Sequence, residues 1–277
     1  MGDYMQEKCL LFETNSMIKQ NLKNKIMIKF NIFEKNEDEQ KIIYTLYSLN
    51  KKGIKKIERK IKTINVPIIL SKEIKENAKK EEYKNTKIYK IIKSLKEDKT
   101  IFRKYIEEVL NNVVTRTKEF PEQQSLYILA KSENVKIKNE IISMLSRYKA
   151  VNIVTTNLRE FQKLEENLDK NLETFTVLNN KRKSLARAQY IINIDFSEEE
   201  LLEYNINRTA NIFNLNTEKL HLNNFDGYII NNIEINSNNQ KYDIKDLYLA
   251  NMINEEDMKN IIKSGQYKII GNNGYIF

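Results

Sequence analysis

Leu126-Tyr127-Ile128-Leu129-Ala130 is a short apolar run between polar neighbours, and it decides how the second half of the chain reads. Such a run suits a strand buried on both faces, as in a parallel sheet. The element recurs at Val151-Asn152-Ile153-Val154-Thr155, Thr174 to Leu178, Tyr190-Ile191-Ile192-Asn193-Ile194, Ala210 to Leu215 and Tyr228 to Ile230. Helical spacing separates the runs. Ser132 or Asn134 caps a helix with Ile137, Ile141, Ile142 and Leu145 inward. A second helix runs through Phe161, Leu164 and Leu168, and a short one covers Ser184 to Arg187. Ser197 and Glu200 have capping-box spacing for a further helix reaching Tyr204. Strands alternating with helices through short polar loops imply parallel pairing with right-handed crossovers.

Upstream, Phe120-Pro121-Glu122-Gln123-Gln124 is the sharpest boundary, because Pro121 stops a helix. That helix starts at Asp98 and carries Phe102, Ile106, Val109 and Val113 three or four residues apart. Between Lys79 and Lys99 the chain is charged and poor in apolar residues, which predicts a solvated helix or linker. Ile26, Ile28, Phe30 and Ile32 alternate with polar residues, as in a strand. Acidic residues 37–39 open a predicted helix with Ile42, Ile43, Leu46 and Leu49 on one face, closed by Gly53. Ile54 to Ile64 reads as extended, and Val66 to Leu70 as a strand with Ser71 capping the next helix. The tail adds a helix around Ile244 to Ile262 and a tight turn at Gly271-Asn272-Asn273-Gly274.

The 277 residues suit two domains. The amino terminus lacks the basic residues of a signal peptide, and no apolar run reaches membrane-spanning length, so the expectation is a cytoplasmic protein without membrane association. One cysteine, Cys9, excludes an internal disulfide or a cysteine cage, and its apolar neighbours make it a buried small side chain. The net charge is +9 and the pI near 9.2. The basic residues are mostly Lys in a chain rich in Ile and Asn, as AT-rich bacterial codon usage produces. Acids interleave with them, so a solvated surface is the simpler reading and an anionic partner the other.

The order of strands and helices, with Thr155-Thr156-Asn157 ending the second strand and Ala188-Gln189-Tyr190 opening the fourth, resembles the nucleotide-binding domain of the shikimate dehydrogenase and glutamyl-tRNA reductase group. The resemblance covers roughly residues 126–228 and implies an α/β fold. A Rossmann-like parallel-sheet domain (121–277) would follow a smaller α/β amino-terminal domain (1–97) and a connecting amphipathic helix (98–120). It also implies NADP or NAD as cofactor. Asn157 matches the group's Asn, whereas Leu158 stands at its Arg, with Arg159 next, and Gln189 at its Asp. A dinucleotide site needs glycines after the first strand. Here that turn reads Ala130-Lys131-Ser132-Glu133-Asn134, and the second strand is not followed by an acid for a ribose. The expectation is a domain that lacks the glycine-rich loop and holds no dinucleotide.

Ligands gather at the carboxyl ends of parallel strands. Those positions are Lys131 and Ser132; Thr155, Thr156, Asn157 and Arg159; Asn179, Asn180, Lys181, Arg182, Lys183 and Ser184; and Asp195. The third group is the densest local positive charge and could hold a phosphate, or could be a solvated loop. Asp195 could be a general base, or could belong to the cap at Ser197. His221 is the only histidine, without a metal or nucleophile partner, and Asp226 and Asp243 lie in turns. No catalytic constellation or metal site emerges. Three functions follow in order: a non-catalytic scaffold that binds a protein partner or senses a small phosphate-bearing ligand; an NAD(P)-dependent oxidoreductase; and a nucleic-acid binder.

Overall fold

Phe12, Tyr44 and Leu46 are buried at alternate strand positions, and that alternation organises the first sheet. The computed structural model describes residues 9–14, 33–37, 41–46, 50–62, 68–80, 83–86, 88–90, 99–132, 139, 143–144, 147–167, 175–218, 220–237, 240–249, 253–265, 267–271 and 274–275. These divide into two units, residues 1–96 with 234–261 and residues 97–233 with 262–277.

In the first unit, β1 (Cys9–Thr14) pairs in parallel with β3 (Lys41–Leu46) and β4 (Ile68–Leu70), while β2 (Phe33–Glu37) runs antiparallel to β3. The helix predicted from residue 37 is therefore strand β3. Its β-branched Ile42, Ile43 and Thr45 favour a pleated neighbour, and pairing with β1 buries Tyr44 and Leu46 on one face. The segment read as extended is helix α1 (Lys51–Lys62). Ile54, Ile57 and Ile61 recur at helical spacing and are buried, and intervening lysines hid that period. Gly53 lies in the first turn of α1 and does not close a helix there; Asn50 Oδ1 accepts the Lys52 and Gly53 amides at 3.0 and 3.1 Å. Helix α2 (Lys72–Ala78) follows Ser71, whose hydroxyl makes no capping bond. Tyr83 and Ile88, in the stretch expected to be solvated, are buried in this core. The alternating segment 25–32 lies outside the described residues, as do residues 66–67 of the fourth strand and the Cys9 side chain.

In the second unit, α3 (Thr100–Lys104) and α4 (Ile106–Arg116) divide the predicted amphipathic helix at Tyr105. Phe102, Ile106, Val109 and Val113 are all buried, as their spacing requires. A 3₁₀ turn (Pro121–Gln123) leads into β5 (Ser125–Leu129). Then come β6 (Ala150–Val154), α5 (Leu158–Asn167), β7 (Phe175–Leu178), β8 (Tyr190–Asn193), α6 (Glu198–Leu202), β9 (Asn211–Asn214) and β10 (Tyr228–Ser237). The sheet order is β7-β6-β5-β8-β9-β10, with each adjacent pair parallel. In chain order that is 3-2-1-4-5-6, the Rossmann arrangement. The protein therefore has a mixed α/β structure with a Rossmann-like sheet. Most of the crossover between β5 and β6, including Asn134, Ile137, Ile141, Ile142 and Leu145, lies outside the described residues, as do Asp98, Glu133 and Leu168.

Residues 181–187 form turns where a short helix was expected, because Asn180 captures the local amides instead. Beyond β10 come β11 (Gln240–Asp243), α7 (Ile244–Leu249), α8 (Glu255–Ser264), β12 (Lys268–Gly271) and β13 (Gly274–Tyr275). The single tail helix predicted around residues 244–262 is thus two. The flanking glycines of the expected tight turn face each other across the β12–β13 pair. Among the described residues no helix is long and apolar enough to cross a membrane.

Gly227 precedes β10 with its amide donated to Arg208 O at 2.7 Å, and a Cβ there would collide with the Ala210 carbonyl oxygen. Gly227→Ala is expected to destabilise the second unit by about 1–3 kcal/mol, as overpacking does, read as a lower denaturant midpoint with unchanged slope.

Candidate functional site

The strand order reverses between β5 and β8, and open α/β sheets hold ligands at this point. Here the two strand ends are tied to each other. Ile194 N donates to Leu129 O at 3.0 Å, and the Lys131 amide donates to Asp195 Oδ1 at 3.0 Å. Lys131 Nζ forms an ion pair with Glu200 at 2.8 Å. Glu200 is itself the third residue of the capping box that the sequence predicts: its carboxylate accepts from Ser197 N and its amide donates to Ser197 Oγ. Burial works against the Glu200 charge, but Lys131 and Ser197 outweigh it and hold the carboxyl below its ordinary value. Asp195 goes the other way: burial raises it above the usual range, against the pull of the Lys131 amide and ammonium.

Asp195 is presented by a turn that Asn193 shapes. The buried Asn193 side chain accepts from Phe196 N at 3.0 Å and donates to Phe196 O at 2.9 Å, spanning Ile194 and Asp195. It also donates to Asn214 Oδ1 at 3.1 Å, and Asn214 Nδ2 in turn reaches Asn231 Oδ1 at 2.8 Å and Glu218 O at 2.7 Å. Lys99, also buried, donates its ammonium to Asn231 O. Three neighbouring strands thus carry a row of buried asparagines across β8, β9 and β10. Sequence reasoning missed this row because Asn reads as a loop residue. The signal was present: Tyr-Ile-Ile-Asn occurs twice, at 190–193 and 228–231, and Asn-Ile-Phe-Asn at 211–214 lies in register between them.

Several of the other predicted residues have local partners. Thr155 is fully buried, its amide donating to Leu178 O and its hydroxyl accepting from Asn157 N at 3.0 Å. Asn157 Nδ2 donates to Glu160 at 2.6 Å, so these residues organise the start of α5, which includes Arg159. Asn180 Oδ1 accepts the amides of Arg182 and Lys183, both at 3.0 Å, and Asn180 O accepts the Ser184 amide at 2.8 Å. Lys181 pairs with Glu203, and its carbonyl accepts from Asn205 N at 2.7 Å. Three amides of this loop and the Lys181 ammonium are therefore engaged internally. The buried Ser184 hydroxyl makes no hydrogen bond among the described residues. Asn179, Ser132 and Thr156 lie at the same strand ends, in the loops after β7, β5 and β6. The His221 amide donates to Glu198 at 2.8 Å, and Asp243 pairs with Lys75 at 2.6 Å. Gln189 donates to Glu119 at 2.8 Å. Among the described residues, no group of three or more His, Cys, Asp or Glu side chains is placed to hold a metal ion.

No protein-family model matches this chain, and no curated protein matches it. Among solved structures, L-tryptophan dehydrogenase from Nostoc punctiforme aligns with 78% of this chain and 65% of its own, at 10% identity and a TM-score of 0.35. This chain therefore spans about two thirds of that enzyme's length, and a superposition this loose carries no inference about activity. The Rossmann-like assignment rests on the strand order itself.

Asn214→Ala strips partners from Asn193, Asn231 and Glu218 O at once, and is expected to lose about 2–4 kcal/mol, since each buried orphan costs about 1–3 kcal/mol. Asn216→Ala, which removes the bond to Phe196 O and a longer exposed one from Glu218 N, should lose less than half as much by chemical denaturation. For Asp195, an acid raised in the folded state favours folding while protonated, and that contribution is lost as pH rises through its folded value. Asp195→Asn keeps an oxygen for the Lys131 amide. Thermal melts between about pH 4 and 8 should therefore show the variant level with wild type in acid and gaining relative to it as pH rises.

Proposed function

We propose that this is a non-catalytic two-domain protein whose Rossmann-like unit is a partner-binding scaffold and holds no dinucleotide. The observation that carries this reading is the bond from the Lys131 amide to Asp195. In a dinucleotide-binding unit the amides after the first strand point at the pyrophosphate, with glycine allowing close approach. Here one of those amides, that of Lys131, is taken by a carboxylate of the same unit, and a second carboxylate, Glu200, is fixed beside it through Lys131. A pyrophosphate at this point would meet two acids and displace an internal bond. The loop at Asn179–Ser184, the other place for a phosphate, has its amides bound to Asn180, which favours a protein partner over a small phosphate ligand.

The second reading is an NAD(P)-dependent oxidoreductase of the shikimate dehydrogenase or glutamyl-tRNA reductase kind, with an unusual phosphate loop. The 3-2-1-4-5-6 strand order favours it, because that order creates the crevice such enzymes use. Thermal shift separates the two. With NADP, NAD or ATP at millimolar concentration the scaffold reading expects an unchanged melting temperature. A ligand present at about a hundred times its Kd would stabilise the fold by about 2.7 kcal/mol, a shift of several degrees, and would replace the first reading with the second.

A further inference from the structure

Helix α1 reads Lys51-Lys52-Gly53-Ile54-Lys55-Lys56-Ile57-Glu58-Arg59-Lys60-Ile61-Lys62: seven basic residues and one acid in twelve. The fold sorts them. Ile54, Ile57 and Ile61 are buried in the core of the first unit with Phe12, Tyr44 and Ile74, while Lys52, Lys55, Arg59 and Lys60 are exposed and Lys56 is half-buried. Lys60 also lies over the Tyr44 ring at 5.4 Å from its centroid. The acid, Glu58, accepts the Ile88 amide at 3.1 Å. The helix is about 18 Å long, and Lys52, Lys55 or Lys56, and Arg59 follow one another by about 5 Å along a single face. From the structure of this helix we infer that its outer face docks on the phosphate backbone of duplex DNA, without reading sequence.

Charge complementarity carries the inference, and the surroundings select the occupant. A basic amphipathic helix often lies on a membrane, but insertion needs a free apolar face. Here that face is consumed: Ile54 and Ile57 are 0% exposed. The exposed large apolar side chains among the described residues are Ile68, Phe120, Leu202 and Tyr228, none of them on α1. The face therefore offers no aromatic on which single-stranded bases could stack. It is made of ammonium and guanidinium donors, and its one carboxylate, Glu58, is half-buried against the Ile88 amide, so donors to phosphate far outnumber acceptors for a ribose 2′-hydroxyl. Backbone phosphates remain, and duplex DNA presents about one negative charge per 1.7 Å of axis. This inference does not depend on the state of the β5–β8 crevice in the other unit.

The test is fluorescence anisotropy with a labelled DNA duplex of arbitrary sequence and the full-length protein. Binding should weaken about 100-fold between 50 and 200 mM salt, as expected for about four neutralised phosphates. The combined variant Lys52→Glu, Lys55→Glu and Arg59→Glu should bind at least about tenfold more weakly, with an unchanged circular dichroism melt. A control with Lys149→Glu, Lys163→Glu and Lys259→Glu removes the same charge from exposed positions elsewhere and should bind like wild type. Any of four results would overturn the inference: no binding at 50 mM salt, equal loss in both variants, tighter binding to an RNA duplex of the same sequence, or binding to phosphatidylserine vesicles in place of DNA.

Discussion

The side chain of Asn193 ties together the sheet and the turn at the end of β8. One amide group closes the 193–196 turn in both directions and reaches Asn214 on the next strand. Sliding β8 past β9 by one residue would turn Asn193 to the opposite face and leave its amide, with that of Asn214, buried against Ile and Phe. An unpartnered amide in that setting costs about 1–3 kcal/mol, so the asparagine row penalises wrong registers in a way that interchangeable Ile and Phe contacts do not. The turn it closes aims Asp195 back at Lys131. A constraint on strand pairing is thereby also a constraint on the place where a Rossmann-like unit meets its ligand.

That coupling gives the missing glycines a physical meaning. Glycine after the first strand is useful where a phosphate must approach the backbone. On the proposed reading, the carboxylate just beyond the neighbouring strand that accepts the Lys131 amide stands in the way of that approach and removes the advantage of glycine. Lys131 contributes at both ends, its amide to Asp195 and its ammonium to Glu200. In the first unit the ionic links lie elsewhere. Burial opposes the charge of Lys75, but Asp243 and Asp246 outweigh it and hold the ammonium above its ordinary value, while Lys72 pairs with the buried Glu234 at 2.6 Å.

The parallel strands of the second unit were legible because each is a short, mostly apolar run with a polar loop at either end, as burial on two faces demands. The capping box at Ser197 and Glu200 was legible for a similar reason, since its chemistry is local. The first unit was not. Ile42, Ile43, Leu46 and Leu49 fit helical spacing as well as strand alternation, and only pairing with β1 decides for the strand. In α1 the seven basic residues masked the period of three isoleucines, and the helical stripe became visible only once burial showed which side faces the core. At the candidate site, the sequence placed Lys131 and Asp195 at the right strand ends but could not show that they bond to each other. Strand order, set by contacts far apart in the chain, brings them together.

The central claim is that the Lys131 amide belongs to Asp195 and is not available to a nucleotide. Amide hydrogen exchange at Lys131, followed by NMR with and without millimolar NADP, measures this directly. Slow exchange that NADP leaves unchanged is the predicted result. Exchange at the rate of an open loop in the free protein, slowed on adding NADP, would contradict it and show the crevice to be a nucleotide site.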